Sequence, residues 1–92
     1  YPLSLDEIRA QINQGVPIGV RIRWRGGGGH FVVITAVGPQ DPKGDNDTWV
    51  RVADPKDPAA SYITYRALKN RYKGEGKWTH SYLFEKEGKR HP

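Results

Sequence analysis

The sequence of 92 residues contains no cysteine and no methionine. The absence of cysteine excludes disulfides, thiolate metal sites and a thiol nucleophile within this chain. No apolar run approaches the roughly 20 residues that a membrane span needs, and no signal-peptide pattern opens the chain, so we expect no membrane partner. Because the chain begins at Tyr1 without a methionine, we expect it to be a processed product or an excised piece of a longer parent.

The composition is typical of a globular domain. Hydrophobic residues make up 36% and charged residues 27%, which favours a single domain over residues 1–92. Lys and Arg number 15 against 10 Asp and Glu, giving a formal charge of +5. Such a balance is compatible with acidic or nucleic-acid partners. The cations are scattered and no nucleic-acid-binding motif accompanies them, so we do not expect nucleic acid as the partner.

The first element is predicted to be a helix over residues 5–14. Ser4 and Glu7 form the pattern of a capping box, in which each side chain accepts the backbone amide of the other residue. Apolar residues recur at helical spacing on one face. Gly15 follows as the left-handed residue that ends a helix.

The rest of the chain has the pattern of a sheet. Apolar and polar residues alternate over 16–24, which predicts a half-buried strand, and 30–37 is apolar on both faces, which predicts a central strand. The other predictions are strands at 49–54, 62–65 and 78–84, a short helix at 67–72, loops at 38–47 and 54–60, and a disordered tail at 85–92. The predicted fold class is α+β, with an N-terminal helix and a four- to five-stranded, mostly antiparallel sheet.

His30 opens one predicted strand and Asp54 closes the next. In an antiparallel hairpin where Ile34 faces Val50, His30 faces Asp54 on the same side of the sheet. Directly opposed Cβ atoms lie about 4.5–5.5 Å apart, so an imidazole and a carboxylate could meet there. Such a carboxylate would orient the imidazole, fix its tautomer and stabilise its protonated form. An ordinary salt bridge at the strand end is the alternative interpretation.

Four glycines at 26–29 precede the histidine. This run is costly in backbone entropy, and a bare backbone beside a histidine lets another chain lie close to it. A flexible hairpin turn is the alternative. The run does not match a phosphate-binding loop, because no Gly-Lys-Ser/Thr follows.

Four segments resemble, in order and spacing, the C-terminal half of bacterial papain-like cysteine proteases, both the plant-pathogen effector proteases and the bacteriocin leader peptidases. The segments are GVPIGV at 15–20, GGGHFVVI at 27–34, VADP at 52–55 and YKGEGKWT at 72–79. The resemblance extends from about residue 3 to residue 84 and implies that the fold is the C-terminal half of a papain-like fold.

The resemblance implies a role for each residue of the central motif. His30 would be the catalytic general base and Asp54 the carboxylate that orients it, while Gly28 and Gly29 would contact the substrate, Gly29 through its carbonyl group. The nucleophilic cysteine and the glutamine of the oxyanion hole belong to an N-terminal half that this chain lacks. The implied function is peptide-bond hydrolysis only when the chain is joined to a Cys-bearing half.

The implied partners are a peptide or protein substrate and the Cys-bearing half, and no cofactor is implied. The parent could be secreted or of the effector type; the compartment stays open. A non-catalytic module derived from such a protease, binding peptides or proteins, is the alternative function. Because one short helix cannot cover a sheet of this size, we also expect self-association of the isolated chain.

Two other sites have weaker support. A zinc site built from His30, His80 and Asp54 lacks the short ligand spacing that zinc sites show. Ser61 or Ser81 as a nucleophile lacks the nucleophile-elbow motif. We therefore predict no metal site and no serine nucleophile.

Overall fold

The computed structural model describes residues 1–84, so the predicted disordered tail at 85–92 lies outside the described residues. Its elements in chain order are α1 (Leu5–Asn13), β1 (Ile18–Arg23), β2 (Gly29–Val37), β3 (Trp49–Asp54), β4 (Asp57–Thr64), α2 (Tyr65–Asn70) and β5 (Lys77–Leu83). The loop between β2 and β3 contains a single 3-10 turn at Asp45–Asp47. The five strands form one antiparallel sheet in the order β4-β3-β2-β1-β5. The predicted α+β class is confirmed, and β2 is the central strand.

The N-terminus of α1 is closed as predicted. The Ser4 hydroxyl accepts the Glu7 amide at 3.2 Å, and Glu7 Oε1 accepts the Ser4 amide at 2.9 Å. These two bonds satisfy backbone donors that a helix end otherwise leaves unpaired. Gly15 follows with a φ of 77°, in the left-handed region that favours glycine. The helix ends at Asn13, one residue earlier than predicted.

The register between β2 and β3 differs from the predicted one. Ile34 faces Val52, and Val50 faces Val37, with an irregularity between Ile34 and Ala36. The predicted pairing of Ile34 with Val50 is therefore wrong by two residues. A shift of two keeps the side chains of β2 up to Ile34 on their predicted faces, because side chains alternate with period two along a strand. Matching apolar residues could not distinguish these registers, since both place valine against isoleucine.

The predicted loop at 54–60 is wrong, because β4 already begins at Asp57. Residues 55 and 56 alone connect β3 to β4, and Asp54 pairs with Asp57 across this tight turn. The chain contains a proline at position 58, which argued against a strand. However, β4 is an edge strand of the sheet, and edge strands tolerate proline.

Both helices pack on the same face of the sheet. The buried side chains of this face are Ile18, Val20, Ile22, Val32, Ile34, Val50 and Val52. Ile8 of α1 and Leu68 of α2 belong to the same apolar cluster. The expectation that one helix must cover this face alone is wrong, because α2 shares the task. The exposed rings of Phe31 and Tyr82 lie on the opposite face, and self-association stays a prediction.

The capping box generates a testable prediction. We expect Ser4→Ala to lower the free energy of unfolding by about 1 kcal/mol, because the Glu7 amide loses its acceptor at the helix end. Urea unfolding followed by circular dichroism measures this loss. The matched control is Ser61→Ala, which removes an exposed hydroxyl on the edge strand β4. Equal stability of Ser4→Ala and Ser61→Ala would contradict the capping role.

Candidate active site

His30 and Asp54 are in direct contact. The Nε2 atom of His30 lies 2.8 Å from each of the two carboxylate oxygens of Asp54. Both side chains are largely buried, with 8% of His30 and 5% of Asp54 exposed. In the observed register Ala53 faces Val33. Asp54 is therefore level with Val32, two residues after His30 on β2. The imidazole therefore reaches the carboxylate along a diagonal.

Three further groups hold the carboxylate of Asp54. The backbone amide of Lys56 donates to Oδ1 at 2.8 Å, and the hydroxyl of Tyr72 donates to Oδ2 at 2.7 Å. The ammonium group of Lys73 lies 3.8 Å from Oδ2. The Lys56 bond is the side-chain-to-backbone turn that aspartate commonly makes two residues ahead. Because the carboxylate has donors other than His30, its position does not depend on the imidazole alone.

These contacts set the charge of Asp54. Burial alone would raise the pKa of its carboxyl. Hydrogen bonds from His30, Tyr72 and the Lys56 amide, together with the charge of His30, outweigh burial and lower the pKa from 3.8 to about 2. Hydrogen bonds to the charged form of a carboxyl favour that form. Asp54 is therefore an anion at neutral pH.

The charge of Asp54 in turn fixes the tautomer of His30. An ionised carboxylate can only accept hydrogen bonds, so Nε2 must carry the proton that lies between the two residues. In the neutral imidazole Nδ1 is then the nitrogen with a free lone pair. The described residues make no hydrogen bond to Nδ1. Nδ1 is therefore the atom that can accept a proton from a neighbouring group.

Two aromatic rings lie beside the imidazole. The ring centroid of Trp24 is 5.5 Å and that of Tyr72 is 6.3 Å from that of His30, both at small interplanar angles. Trp24 occupies its position because Gly76 has no side chain. A Cβ atom there would lie 3.0 Å from the Trp24 ring and would collide with Ile22. The turn carrying Gly76 thus helps to place the aromatic wall of the site.

The same turn presents Tyr72 and Lys73 to Asp54. Residues 72 and 76 form a β-bridge that closes the turn. Lys73 has a φ of 50°, which is uncommon for a residue other than glycine and accompanies the approach of its ammonium group to Asp54. Burial, and then the hydrogen bond to Asp54, raises the pKa of Tyr72 above its ordinary value of 10. Tyr72 therefore keeps its proton and stays a donor.

Gly28 and Gly29, the two glycines predicted to contact substrate, differ in their place in the hairpin and in their hydrogen bonds. Gly28 has a φ of 86° and closes the hairpin between β1 and β2, since its carbonyl accepts the Trp24 amide at 3.0 Å. Gly29 is the first residue of β2 and is exposed. The substrate contacts of Gly28 and Gly29 stay predictions, and the carbonyl of Gly28 is already engaged within the chain.

Gly29 also lies on an uncovered strand edge. Backbone groups of an antiparallel strand point alternately to its two neighbours. Since the Gly28 carbonyl points to β1, and His30 pairs with Ile22 of β1, the amides and carbonyls of Gly29 and Phe31 point to the other edge. Pairing with β3 begins only at residue 33. The backbone of Gly29 and Phe31 is therefore free of pairing on the β3 side within the described residues.

The remaining candidates lie apart from His30. His80 pairs with Arg21 on β5 and bonds its neighbour Thr79, on the face of the sheet opposite to His30. The Ser81 hydroxyl accepts from Trp78 and donates to the carbonyl of Tyr1. Ser61 lies on the edge strand β4, paired with Val52. Residues 1–84 contain no group of three or more His, Asp or Glu side chains that could hold a metal.

Sequence reasoning missed the contacts of Tyr72, Trp24 and Lys56 with the pair. Nothing in the spacing of the sequence connects position 72 or position 24 with position 54. A signal was present in the Gly-Glu-Gly sequence at 74–76. Two glycines within four residues after Tyr72 predict a tight turn, and such a turn can bring that tyrosine back against the sheet.

The comparisons with known proteins assign the chain to no family. No family model matches the sequence, and no curated protein or solved structure matches it significantly. Among the described residues, α1 and α2 are both too short to cross a membrane.

The hydroxyl of Tyr72 gives the first prediction for this site. We expect Tyr72→Phe to raise the pKa of Asp54 by about one unit, because the carboxylate loses one of its donors. Carbon NMR titration of the Asp54 carboxyl measures this pKa directly. Tyr65→Phe is the matched control, since the buried Tyr65 hydroxyl donates to the carbonyl of Leu3 at 2.6 Å instead. An unchanged Asp54 pKa in Tyr72→Phe would contradict the role of this bond.

The lowered pKa of Asp54 also predicts a pH dependence of stability. A carboxyl whose pKa is lower in the folded state stabilises the fold above its ordinary pKa, here 3.8, and this contribution disappears as the pH falls through about 2. We expect a contribution on the order of 2 kcal/mol. Urea unfolding of the wild type and of Asp54→Asn should show a stability difference that shrinks below about pH 4. A difference that stays constant down to pH 2 would refute this.

Proposed function

We propose that this chain is the His/Asp-bearing half of a papain-like cysteine peptidase, which hydrolyses peptide bonds only when joined to a Cys-bearing half. The observation that carries the proposal is the pair itself. Nε2 of His30 is held by Asp54 at 2.8 Å, while Nδ1 has no partner among the described residues. An imidazole held at one nitrogen by an anion, with the other nitrogen free, is arranged as a general base.

The chemistry requires a thiol that this chain does not contain. In the joined protein, Nδ1 of His30 would accept the thiol proton, and the resulting thiolate would attack the carbonyl carbon of the scissile bond. The imidazolium formed would then give its proton to the leaving amine, which leaves an acyl thioester. A water molecule that gives its proton to His30 would hydrolyse this thioester, releasing the carboxylic acid and restoring the thiol. Asp54, anionic throughout, would stabilise the imidazolium in between. The chain thus supplies the base and its orienting group, and the other half supplies the nucleophile.

The uncovered edge of β2 supports a peptide as the substrate. Gly29 and Phe31 direct unpaired backbone groups to this edge, directly beside His30. An extended peptide can pair with such an edge as an additional strand, which provides affinity through main-chain hydrogen bonds. A peptide bound there would run past the imidazole. The same edge supports the second candidate, a module that binds peptides without cleaving them.

The test uses the complete polypeptide encoded by the gene, with whatever precedes Tyr1. We expect it to cleave peptides, and His30→Ala to reduce cleavage by about a thousandfold or more, because the thiol loses its base. Asp54→Ala should also reduce cleavage by orders of magnitude. His80→Ala is the matched control and should cleave like the wild type, since the exposed imidazole of His80 bonds its neighbour Thr79 and not Asp54. Cleavage is measured with a fluorogenic peptide library.

Two outcomes would refute the peptidase proposal. One is undiminished cleavage by the His30→Ala polypeptide. The other is a gene that encodes no cysteine in the missing half, which would favour the binding module. The chain of residues 1–92 alone should show no cysteine-type cleavage at any pH, because it has no thiol for His30 to deprotonate.

A further inference from the structure

The face of the sheet opposite to the helices carries an aromatic surface. The rings of Phe31 on β2 and Tyr82 on β5 lie 5.9 Å apart, with 39% and 45% of these residues exposed. The tip of the Phe31 ring lies over Gly19 of β1, where a Cβ atom would stand only 2.6 Å from it. The aromatic surface therefore requires a glycine at position 19.

This surface forms one wall of a groove of about 460 Å³. Its lining residues are Arg21, Gly29, His30, Phe31, Tyr82 and Phe84. The groove reaches the proposed active site, because Gly29 and His30 belong to both. Its walls are aromatic, and Arg21 is the cation that lines it. A groove of this kind suits a bulky apolar side chain with an anionic group close by.

Arg21 of β1 extends over Gly29 of β2 on the open face. A Cβ atom on Gly29 would lie 2.8 Å from Nη2 of Arg21, so the guanidinium occupies the space that a side chain would take. Gly29 is the residue whose backbone faces the free edge. A carboxylate on a strand paired with this edge, opposite Gly29, would therefore meet the guanidinium. Guanidinium groups bind carboxylates with well-directed paired hydrogen bonds.

More cations follow along the same face. Arg23 lies two residues beyond Arg21 on β1 and directly faces Lys77 on β5. Like charges placed directly opposite each other destabilise a strand pair. Among the described residues, Arg21, Arg23 and Lys77 make no ion pair, although Glu75 lines a neighbouring hollow with Arg23 and Lys77. An anionic ligand on this face would reduce the repulsion between these cations.

We infer that this face selects an acidic peptide, with a carboxylate residue opposite Gly29 and a bulky apolar residue two positions away in the groove of Phe31 and Tyr82. A spacing of two follows because alternate residues of an extended strand share one face. The inference rests on the proposed function, since it names the substrate class of the same site. The observation that carries it is the guanidinium of Arg21 lying over Gly29 beside the aromatic groove.

A nucleic acid would also be attracted by arginines beside aromatic rings. The polypeptide is favoured because the groove shares Gly29 and His30 with a strand edge whose free amides and carbonyls match an extended peptide backbone. The experiment must therefore separate these two ligands.

The test measures binding to the 92-residue chain by amide NMR. The probe is the capped peptide acetyl-TGDTFTGT-amide, in which the acidic and the aromatic residue are two positions apart. We expect it to shift the amide signals of Gly29 and Phe31 and to bind more weakly at high salt, because exposed charges are screened. The same peptide with lysine in place of its aspartate should bind about fivefold more weakly or worse. Replacing its phenylalanine by serine should weaken binding as well.

The protein variant is Arg21→Gln, which removes the charge at an exposed position and leaves the core intact. We expect it to weaken binding of the acidic peptide about fivefold and to abolish its preference over the lysine peptide. The matched control is Arg66→Gln, an exposed arginine on α2, on the other face of the sheet. Thermal unfolding of both variants verifies that they are folded.

Three outcomes would overturn the inference. They are equal binding of the acidic and lysine peptides, no effect of Arg21→Gln, and tighter binding of a single-stranded oligothymidylate than of the acidic peptide. The proposed function is tested separately by the cleavage assay. His30-dependent cleavage without acidic preference would leave the peptidase proposal standing and remove only the selectivity. Acidic-peptide binding without His30-dependent cleavage would support the binding module instead.

Discussion

The arrangement of this site depends on one buried carboxylate. Asp54 ends a strand at a depth where an unpaired charge would be costly, and it stays ionised because it accepts hydrogen bonds from a backbone amide, a phenol and an imidazole. Each donor comes from a different part of the chain: the turn after β3, the turn after α2 and the start of β2. The hydrogen bonds to the Asp54 carboxylate therefore connect three segments of the chain. The position of His30 is a consequence of that requirement.

The resulting site has two surfaces with different chemistry, separated by the thickness of one strand. The imidazole lies on the helix-covered face among Trp24 and Tyr72, whereas Arg21 and Phe31 lie on the open face. Only the backbone of β2 is common to both. A ligand paired with the free edge of β2 would therefore present alternate side chains to a proton-transferring face and to a charged, aromatic face. Under the two proposals, reaction and selection would be physically separate along a single bound peptide.

The sequence predicted the elements and the central pair well, because both follow from local patterns. The capping box of Ser4 and Glu7, the alternation along β1 and the apolar run of β2 are set by residues close in sequence. The contact of His30 with Asp54 was predicted from a register that was wrong by two residues, and it survived because such a shift preserves the face. The strand predicted at 62–65 covers only the end of the edge strand β4, and the first part of β4, from Asp57, was missed because proline tolerance depends on a position in the sheet that a sequence does not show. The donor Tyr72 was missed for the same kind of reason, since its partner lies 18 residues away in sequence.

The backbone at Gly76 has a consequence for how the site would respond to mutation over evolutionary time. This residue contributes no side chain to the site, yet it provides the surface on which Trp24 rests. A Cβ atom there would collide with Ile22 and crowd the indole of Trp24, which stacks on the imidazole of His30. Position 76 therefore affects the geometry of the site without contributing a polar group to it. Chemistry-based inspection would overlook such a position, whereas natural variation would be expected to avoid changing it.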